Sequence, residues 1–141
     1  MVLSELLSQL EIGGKLLYTL SLKRDFIAQH YLIGGDWGAE NQKHSHHYVL
    51  EVELSGPSLN PHNYLLDIVE LEDLLEKLVA GYRDRCLNDL PEFAGQNPSL
   101  ELFVQHLCKS LASQIKDPNL QEINLRLWEN QMAWASYRQA L

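Results

Sequence analysis

The sequence predicts an α+β fold, in which one antiparallel sheet of four strands carries two helices on a single face. Three observations indicate this fold. Two long segments of alternating apolar and polar residues open the chain, two amphipathic helical patterns follow, and two short alternating segments close it. The predicted order is therefore ββααββ. At 141 residues with 45% hydrophobic content, we expect one domain spanning residues 1–141.

A short leading helix is predicted for residues 1–14. Its leucines recur at helical spacing, and two consecutive glycines suit a helix end. The residues that carry this pattern are Leu3, Leu6, Leu7, Leu10, Gly13 and Gly14.

The first two strands follow the leading helix. Residues 15–30 have mostly apolar even positions and polar odd positions, interrupted at Arg24, which predicts a half-buried strand. Residues 33–43 are rich in Gly, Asp and Asn and predict a loop. Alternation resumes over residues 44–55 and predicts the second strand, which Gly56 ends.

The two helices and the closing hairpin complete the prediction. Residues 71–82 and 100–115 place apolar side chains at steps of three and four. The second helix follows residues 97–99, Asn-Pro-Ser, where a proline at the first helical position costs no hydrogen bond. Residues 123–129 and 132–137 alternate around a turn and predict a hairpin.

The composition argues against two classes of partner. A net charge of -8 does not suit nucleic acid, because such binding depends on clustered Lys and Arg. No run approaches the ~20 apolar residues that cross a bilayer, and no basic stretch followed by an apolar one opens the chain. We therefore expect a cytoplasmic protein that binds neither nucleic acid nor membrane.

Histidines near the second strand predict a metal site. His44 and His46 are two residues apart, so on an extended chain both imidazoles point to the same side. His30 ends the first strand on the apolar parity and is the best candidate for a third ligand. Three histidines with an open fourth position are typical of catalytic zinc. The alternative is that they are ordinary histidines in a polar region.

Two glutamates are the other candidate site residues. Glu129 shares the parity of the apolar residues before it, so a planar donor array such as a guanidinium would satisfy it. Equally, the strand reaches solvent there, or Glu129 pairs with Arg126 or Arg138. Glu101 lies in the first turn of the second helix, where the helix dipole alone favours a carboxylate.

Four segments carry a family resemblance from about Tyr18 to Tyr137. In chain order they read FIAQHYL, HSHHY, NPSLE and LRLWEN. This set resembles the 6-pyruvoyl-tetrahydropterin and 6-carboxytetrahydropterin synthase family. The resemblance implies the tunnelling fold (T-fold), ring assembly into a homo-oligomer, either a hexamer or a tetramer, and Zn²⁺ held by His30, His44 and His46. Ser45 replaces the glycine of the family's His-Gly-His motif.

The resemblance also implies roles for four carboxylates. In the family, glutamates that match Glu129 and Glu101 bind the pterin ring. The catalytic cysteine is missing from residues 33–43, and Glu40 stands at its spacing, as in the branch that converts dihydroneopterin triphosphate to 6-hydroxymethyl-dihydropterin. Asp84 matches part of the family's Asp-His proton relay, but the histidine is missing.

The resemblance implies a zinc-dependent lyase or synthase that acts on the side chain of a reduced pterin. Glu40 and Asp84 are the candidate catalytic residues. One alternative is a catalytically inactive zinc-containing protein that binds a pterin or purine, which the missing cysteine and histidine favour. The other is a zinc-dependent hydrolase of a different substrate, because three histidines can also activate water.

Overall fold

Four strands and two helices occur in the predicted order in the computed structural model, which describes residues 16–141. The predicted leading helix, residues 1–14, lies outside this range. The elements are β1 (Tyr18–His30), β2 (His44–Gly56), α1 (Ile68–Ala80), α2 (Leu100–Ala112), β3 (Glu122–Trp128) and β4 (Trp134–Ala140). Short 3₁₀ turns occur at Gly38–Asn41, Leu87–Asp89 and Pro91–Phe93.

The strands form one antiparallel sheet in the order β1-β2-β3-β4. The predicted interruption of β1 at Arg24 is wrong, because Arg24 pairs opposite Leu50 within a continuous ladder. Arg24 is tolerated on the apolar parity because its guanidinium reaches α1. There Nη2 donates to the Glu72 carbonyl at 3.2 Å, and Nε lies 3.7 Å from a Glu76 carboxylate oxygen.

Both helices pack on the same face of the sheet, as predicted. α1 lies against β1 and α2, while α2 covers β3 and β4. The even positions of β1 and β2 and the odd positions of β3 point into this layer. Those of β2 and β3 that are fully buried and apolar are Tyr48, Leu50, Val52, Leu54, Ile123, Leu125 and Leu127. Burial of each large apolar side chain contributes about 1.5–3 kcal/mol to stability.

β2 extends beyond the end of β3. Its pairing with β3 begins at Val49 opposite Trp128, whereas its pairing with β1 continues to His44 opposite His30. Residues 44–48 of β2 therefore lack a strand neighbour on the β3 side. The predicted histidine ligands lie at this open end of the sheet.

Within residues 16–141, no helix combines the length and the apolar character that crossing a bilayer requires.

Candidate metal centre and active site

Three histidines converge at the open end of the sheet. The antiparallel register places His30 directly opposite His44, and His46 lies two residues further on the same face of β2. The ring centroids are 4.5 Å apart for His30 and His44, 4.9 Å for His30 and His46, and 4.8 Å for His44 and His46. One nitrogen from each ring lies within 4.8 Å of the other two, so the group could hold a metal ion.

Backbone carbonyls fix the orientation of two of these rings. His30 Nδ1 lies 2.8 Å from the carbonyl oxygen of Pro98, and His44 Nδ1 lies 2.7 Å from that of Gln42. A carbonyl can only accept, so both Nδ1 atoms carry the proton and donate it. The lone pair of each ring is then on Nε2, as in the second-shell hydrogen bonds of metal-binding histidines.

The donor set fits a metal ion. His30 is only 2% exposed, and its Nε2 is buried without a hydrogen-bond partner among the described residues. Burial lowers the pKa of His30, against the opposing effect of the Pro98 carbonyl, and this favours the neutral ligand form. His44 Nε2 and His46 Nε2 are 3.1 Å apart. Tetrahedral zinc with ~2.0–2.1 Å bonds needs about 3.3 Å between ligand nitrogens, so little rearrangement is required.

Glu129 lies beside this group. It follows the last residue of β3, and its backbone N–H donates to the Ala133 carbonyl at 3.2 Å across the β3–β4 turn. Its carboxylate Oε2 is 4.0 Å from His46 Nε2 and is partly buried. The alternative pairing with Arg126 does not occur, because Arg126 is directed to Glu51, with 3.7 Å between the charged atoms.

An open cleft of about 580 Å³ joins His46 and Glu129. The β3–β4 turn forms one wall, and the unpaired end of β2 forms the other. A smaller hollow of about 400 Å³ lies at the start of α1, where Asp67 is its only carboxylate and accepts from the Val69 N–H as a helix cap. The cleft beside the histidines is therefore the candidate active site.

Tyr48 connects the carboxylates to the buried side of the site. Its ring is 5.5 Å from His46 and packs on Phe103 at 5.2 Å in the core. Burial raises the pKa of Tyr48, and the negative charges of Glu129 and Glu40 raise it further. Both carboxylates are thus near enough to act electrostatically on the floor of the site.

Glu40 sits on the 3₁₀ turn Gly38–Asn41, inside the predicted loop. Its carbonyl accepts from the Leu32 N–H at 2.9 Å, and the Asn41 side chain donates to the carbonyls of Leu32 and Gly35. These bonds hold the turn close to the end of β1. The exposed Glu40 carboxylate also acts on His30, whose pKa its charge raises against the larger effect of burial.

Glu101 and Asp84 lie farther from the centre of the cluster. Glu101 is exposed in the first turn of α2, three residues after Pro98, whose carbonyl holds His30. Asp84 is exposed at the outer edge of β1, where its N–H donates to the Ile27 carbonyl at 2.7 Å. No hydrogen bond or ion pair within residues 16–141 joins either side chain to the histidines.

Two asparagines that sequence reasoning did not select also position the site. Asn88 Oδ1 accepts from the Tyr31 N–H at 3.0 Å, and Asn97 Oδ1 accepts from the Ile33 N–H at 3.0 Å. They fix the chain just after His30 to the segments before α2. Their partners are 57 and 64 residues away, so no local pattern could have revealed them.

Comparison with known proteins identifies the family. Residues 19–140 match the model of the 6-pyruvoyl tetrahydropterin synthase family. A protein of Archaeoglobus fulgidus, provisionally named 6-carboxy-5,6,7,8-tetrahydropterin synthase, is 26% identical over 95 residues, which cover 67% of this chain and 75% of that protein.

Solved structures agree in fold. Caenorhabditis elegans 6-pyruvoyl tetrahydropterin synthase superposes with a TM-score of 0.71 at 20% identity, over 89% of this chain and 99% of that one. A Plasmodium vivax 6-pyruvoyltetrahydropterin synthase, with alanine in place of a glutamate described as a catalytic residue, gives 0.70 at 13% identity, over 88% and 99%. The predicted tunnelling fold and family are confirmed, and the chain belongs to the 6-pyruvoyl tetrahydropterin synthase family.

Proposed function

We propose that the protein is a zinc-dependent lyase or synthase that acts on the side chain of a reduced pterin, such as 7,8-dihydroneopterin triphosphate. The observation that carries this proposal is the junction of three converging histidines with the Glu129 carboxylate in one open cleft. Such a cleft can bind a flat heterocycle at one end and hold a metal ion at the other.

The metal would be held through Nε2 of His30 and His44 and a ring nitrogen of His46. Zinc bound there would act as a Lewis acid toward oxygens of the pterin side chain. The protein supplies three neutral ligands, two of them oriented by backbone carbonyls.

Glu129 would bind the pterin ring. Its partly buried carboxylate can accept two parallel N–H bonds from the guanidine-like edge of the ring, as it would from an arginine. Partial burial favours such pairing, because fewer waters compete for the carboxylate. Glu101 is the proposed second ring contact, in line with its match to the family motif.

Glu40 is the proposed general base. Its backbone is pinned beside the end of β1, and its charge acts on both His30 and Tyr48. The P. vivax protein, in which a glutamate is described as a catalytic residue, is a precedent for a glutamate in this role. Asp84 is proposed to retain part of the proton relay, on the resemblance alone.

The test is to incubate the purified protein with 7,8-dihydroneopterin triphosphate and identify products by mass spectrometry. A 6-hydroxymethyl-, 6-pyruvoyl- or 6-carboxy-pterin product would support the proposal. Glu40→Gln should bind pterin normally and lower turnover by ~10²–10⁴-fold, because it removes a positioned acid–base group. Wild-type turnover in Glu40→Gln would rule this residue out as the base.

Glu129→Gln provides the matched comparison. The amide places a donor against the N–H groups of the ring, so pterin affinity should fall by at least about tenfold while zinc content stays unchanged. Pterin binding that is unaffected by this change would remove Glu129 from the ring site.

The second candidate function is a catalytically inactive pterin- or purine-binding protein that contains zinc. The cysteines favour it, because both Cys86 and Cys108 are buried and burial raises the pKa of Cys108 to about 11. Neither is suited to replace the missing nucleophile. Tight pterin binding without any product would support this candidate over the lyase.

A further inference from the structure

The cleft reaches both faces of the sheet. His46 and His47 are consecutive residues of an extended strand, so their side chains point to opposite faces. Both nevertheless line the cleft, because residues 44–48 of β2 have no β3 neighbour and leave an open edge. A ligand that contacts Glu129 and His46 can therefore extend around this edge to the face opposite the helices.

On that face, His47 is held in a fixed orientation. Its Nε2 lies 2.7 Å from Asp25 Oδ2, across the β1–β2 ladder. The hydrogen bond from His47 lowers the pKa of the Asp25 carboxyl, so the acceptor is a carboxylate and Nε2–H is the donor. In the neutral ring Nδ1 is then a hydrogen-bond acceptor, and it has no partner among residues 16–141.

The neighbouring groups also suit a hydroxylated ligand. Ser45 Oγ accepts from Gln29 Nε2 at 3.3 Å, so its own hydroxyl proton is available. Lys23 is the only cation among the described residues that line the cleft. Its charge is offset by Asp25, two residues along the same face, and by Glu51 directly opposite. A polyphosphate would bring several negative charges toward Asp25 and Glu129, whereas hydroxyl groups can donate to the acceptors present.

We propose that Lys23, Ser45 and His47, with His47 positioned by Asp25, form a subsite for the hydroxylated side chain of the ligand. This subsite selects a polyhydroxylated chain of low charge over a polyphosphorylated one. The inference rests on the proposed function, because it assumes that the ring of the same ligand contacts Glu129.

The test compares three pterins by fluorescence titration of the zinc-loaded protein. Neopterin carries a trihydroxypropyl chain, 6-methylpterin carries none, and neopterin triphosphate adds the charges. Neopterin should bind about tenfold more tightly than 6-methylpterin, the factor expected for two or three net hydrogen bonds. Neopterin triphosphate should bind no more tightly than neopterin.

Variants locate the effect. His47→Ala and Asp25→Ala should bring the neopterin preference close to one, while Asp25→Asn, which keeps an acceptor oxygen, should retain part of it. Ser21→Ala is the control: it removes a hydroxyl that donates to Glu51 at 3.4 Å on the same face, outside the cleft lining, and should leave the preference unchanged. Zinc content shows that each variant is folded.

Two results would overturn the subsite alone: equal binding of neopterin and 6-methylpterin, or tighter triphosphate binding that depends on Lys23. If the wild-type protein binds none of the three pterins, the proposed function falls together with the subsite.

Discussion

Each histidine of the candidate centre depends on groups that the spacing of histidines does not reveal. Pro98 and Gln42 supply carbonyls that select the tautomer of His30 and His44, and burial keeps His30 neutral. Removal of these partners typically lowers metal affinity 10–100-fold even when the ligands are intact. The site is therefore a property of the loop ends as much as of the strands.

At this scale we predict about one zinc ion per purified chain. His44→Ala combined with His46→Ala should abolish it, because one remaining imidazole cannot hold the ion in competition with water. His62→Ala serves as the control, since His62 is exposed beside Tyr64 in the connection before α1. Elemental analysis by mass spectrometry measures the outcome. Full zinc occupancy in the double variant, or none in wild type, would contradict the assignment.

Sequence reasoning placed the three histidines together because strand parity and a family motif agree on them. It located Glu129 less well. Alternation continues through Glu129 and predicted a strand position, yet β3 ends at Trp128. The backbone there turns because Glu129 N–H bonds to the Ala133 carbonyl and Asn130 Oδ1 accepts from the N–H groups of Met132 and Ala133. Parity reports which face a residue occupies, but it cannot report where pairing with the neighbouring strand stops.

Among the secondary-structure elements, the helix starts show the same division. The apolar stripe predicted α1 from residue 71, but the helix begins at Ile68 because Asp67 caps it. Ile68 and Val69 are exposed, so they add nothing to the stripe and periodicity missed them. For α2, Asn97, Pro98 and Ser99 gave an explicit start signal, and the predicted first residue, Leu100, is confirmed.

The start of α2 links helix stability to the metal site, and this connection can be tested. Ser99 Oγ accepts from the Leu102 N–H at 3.1 Å, so Ser99→Ala should lower the free energy of unfolding by about 1 kcal/mol. Because the adjacent Pro98 carbonyl holds His30, the same change should also weaken zinc binding. Chemical denaturation and zinc titration against a chelator measure the two effects.

Asp67→Ala is the matched control, because it removes the cap of α1, whose Oδ1 accepts from the Val69 N–H at 2.9 Å. It should cost similar stability without any change in zinc affinity. If the two cap variants affect zinc equally, the Pro98 carbonyl has no special part in the site.

In the molecule as a whole, the face of the sheet opposite the helices has no cover from the described residues. It carries polar atoms without partners in this range, because Asn124 Oδ1, Arg126 Nε and Trp128 Nε1 are buried but unbonded. Trp134 is 46% exposed there, with the Arg126 guanidinium 4.3 Å above its ring. β1 and β4 are also the two edges of the sheet, where unpaired strand groups favour association.

We therefore predict a homo-oligomer that covers this face, either a hexamer or a tetramer. Light scattering at micromolar concentration should give six or four times the 16.2 kDa chain mass. Trp134→Glu should shift the mass downward, because it places a carboxylate on a face that would be buried between copies. Val69→Glu makes the same kind of change on the opposite side of the molecule, where Val69 is 70% exposed on α1, and should leave the mass unchanged. A wild-type protein that scatters as a monomer would show that this face is solvated, and the cleft would then have to bind its ligand with residues of one chain alone.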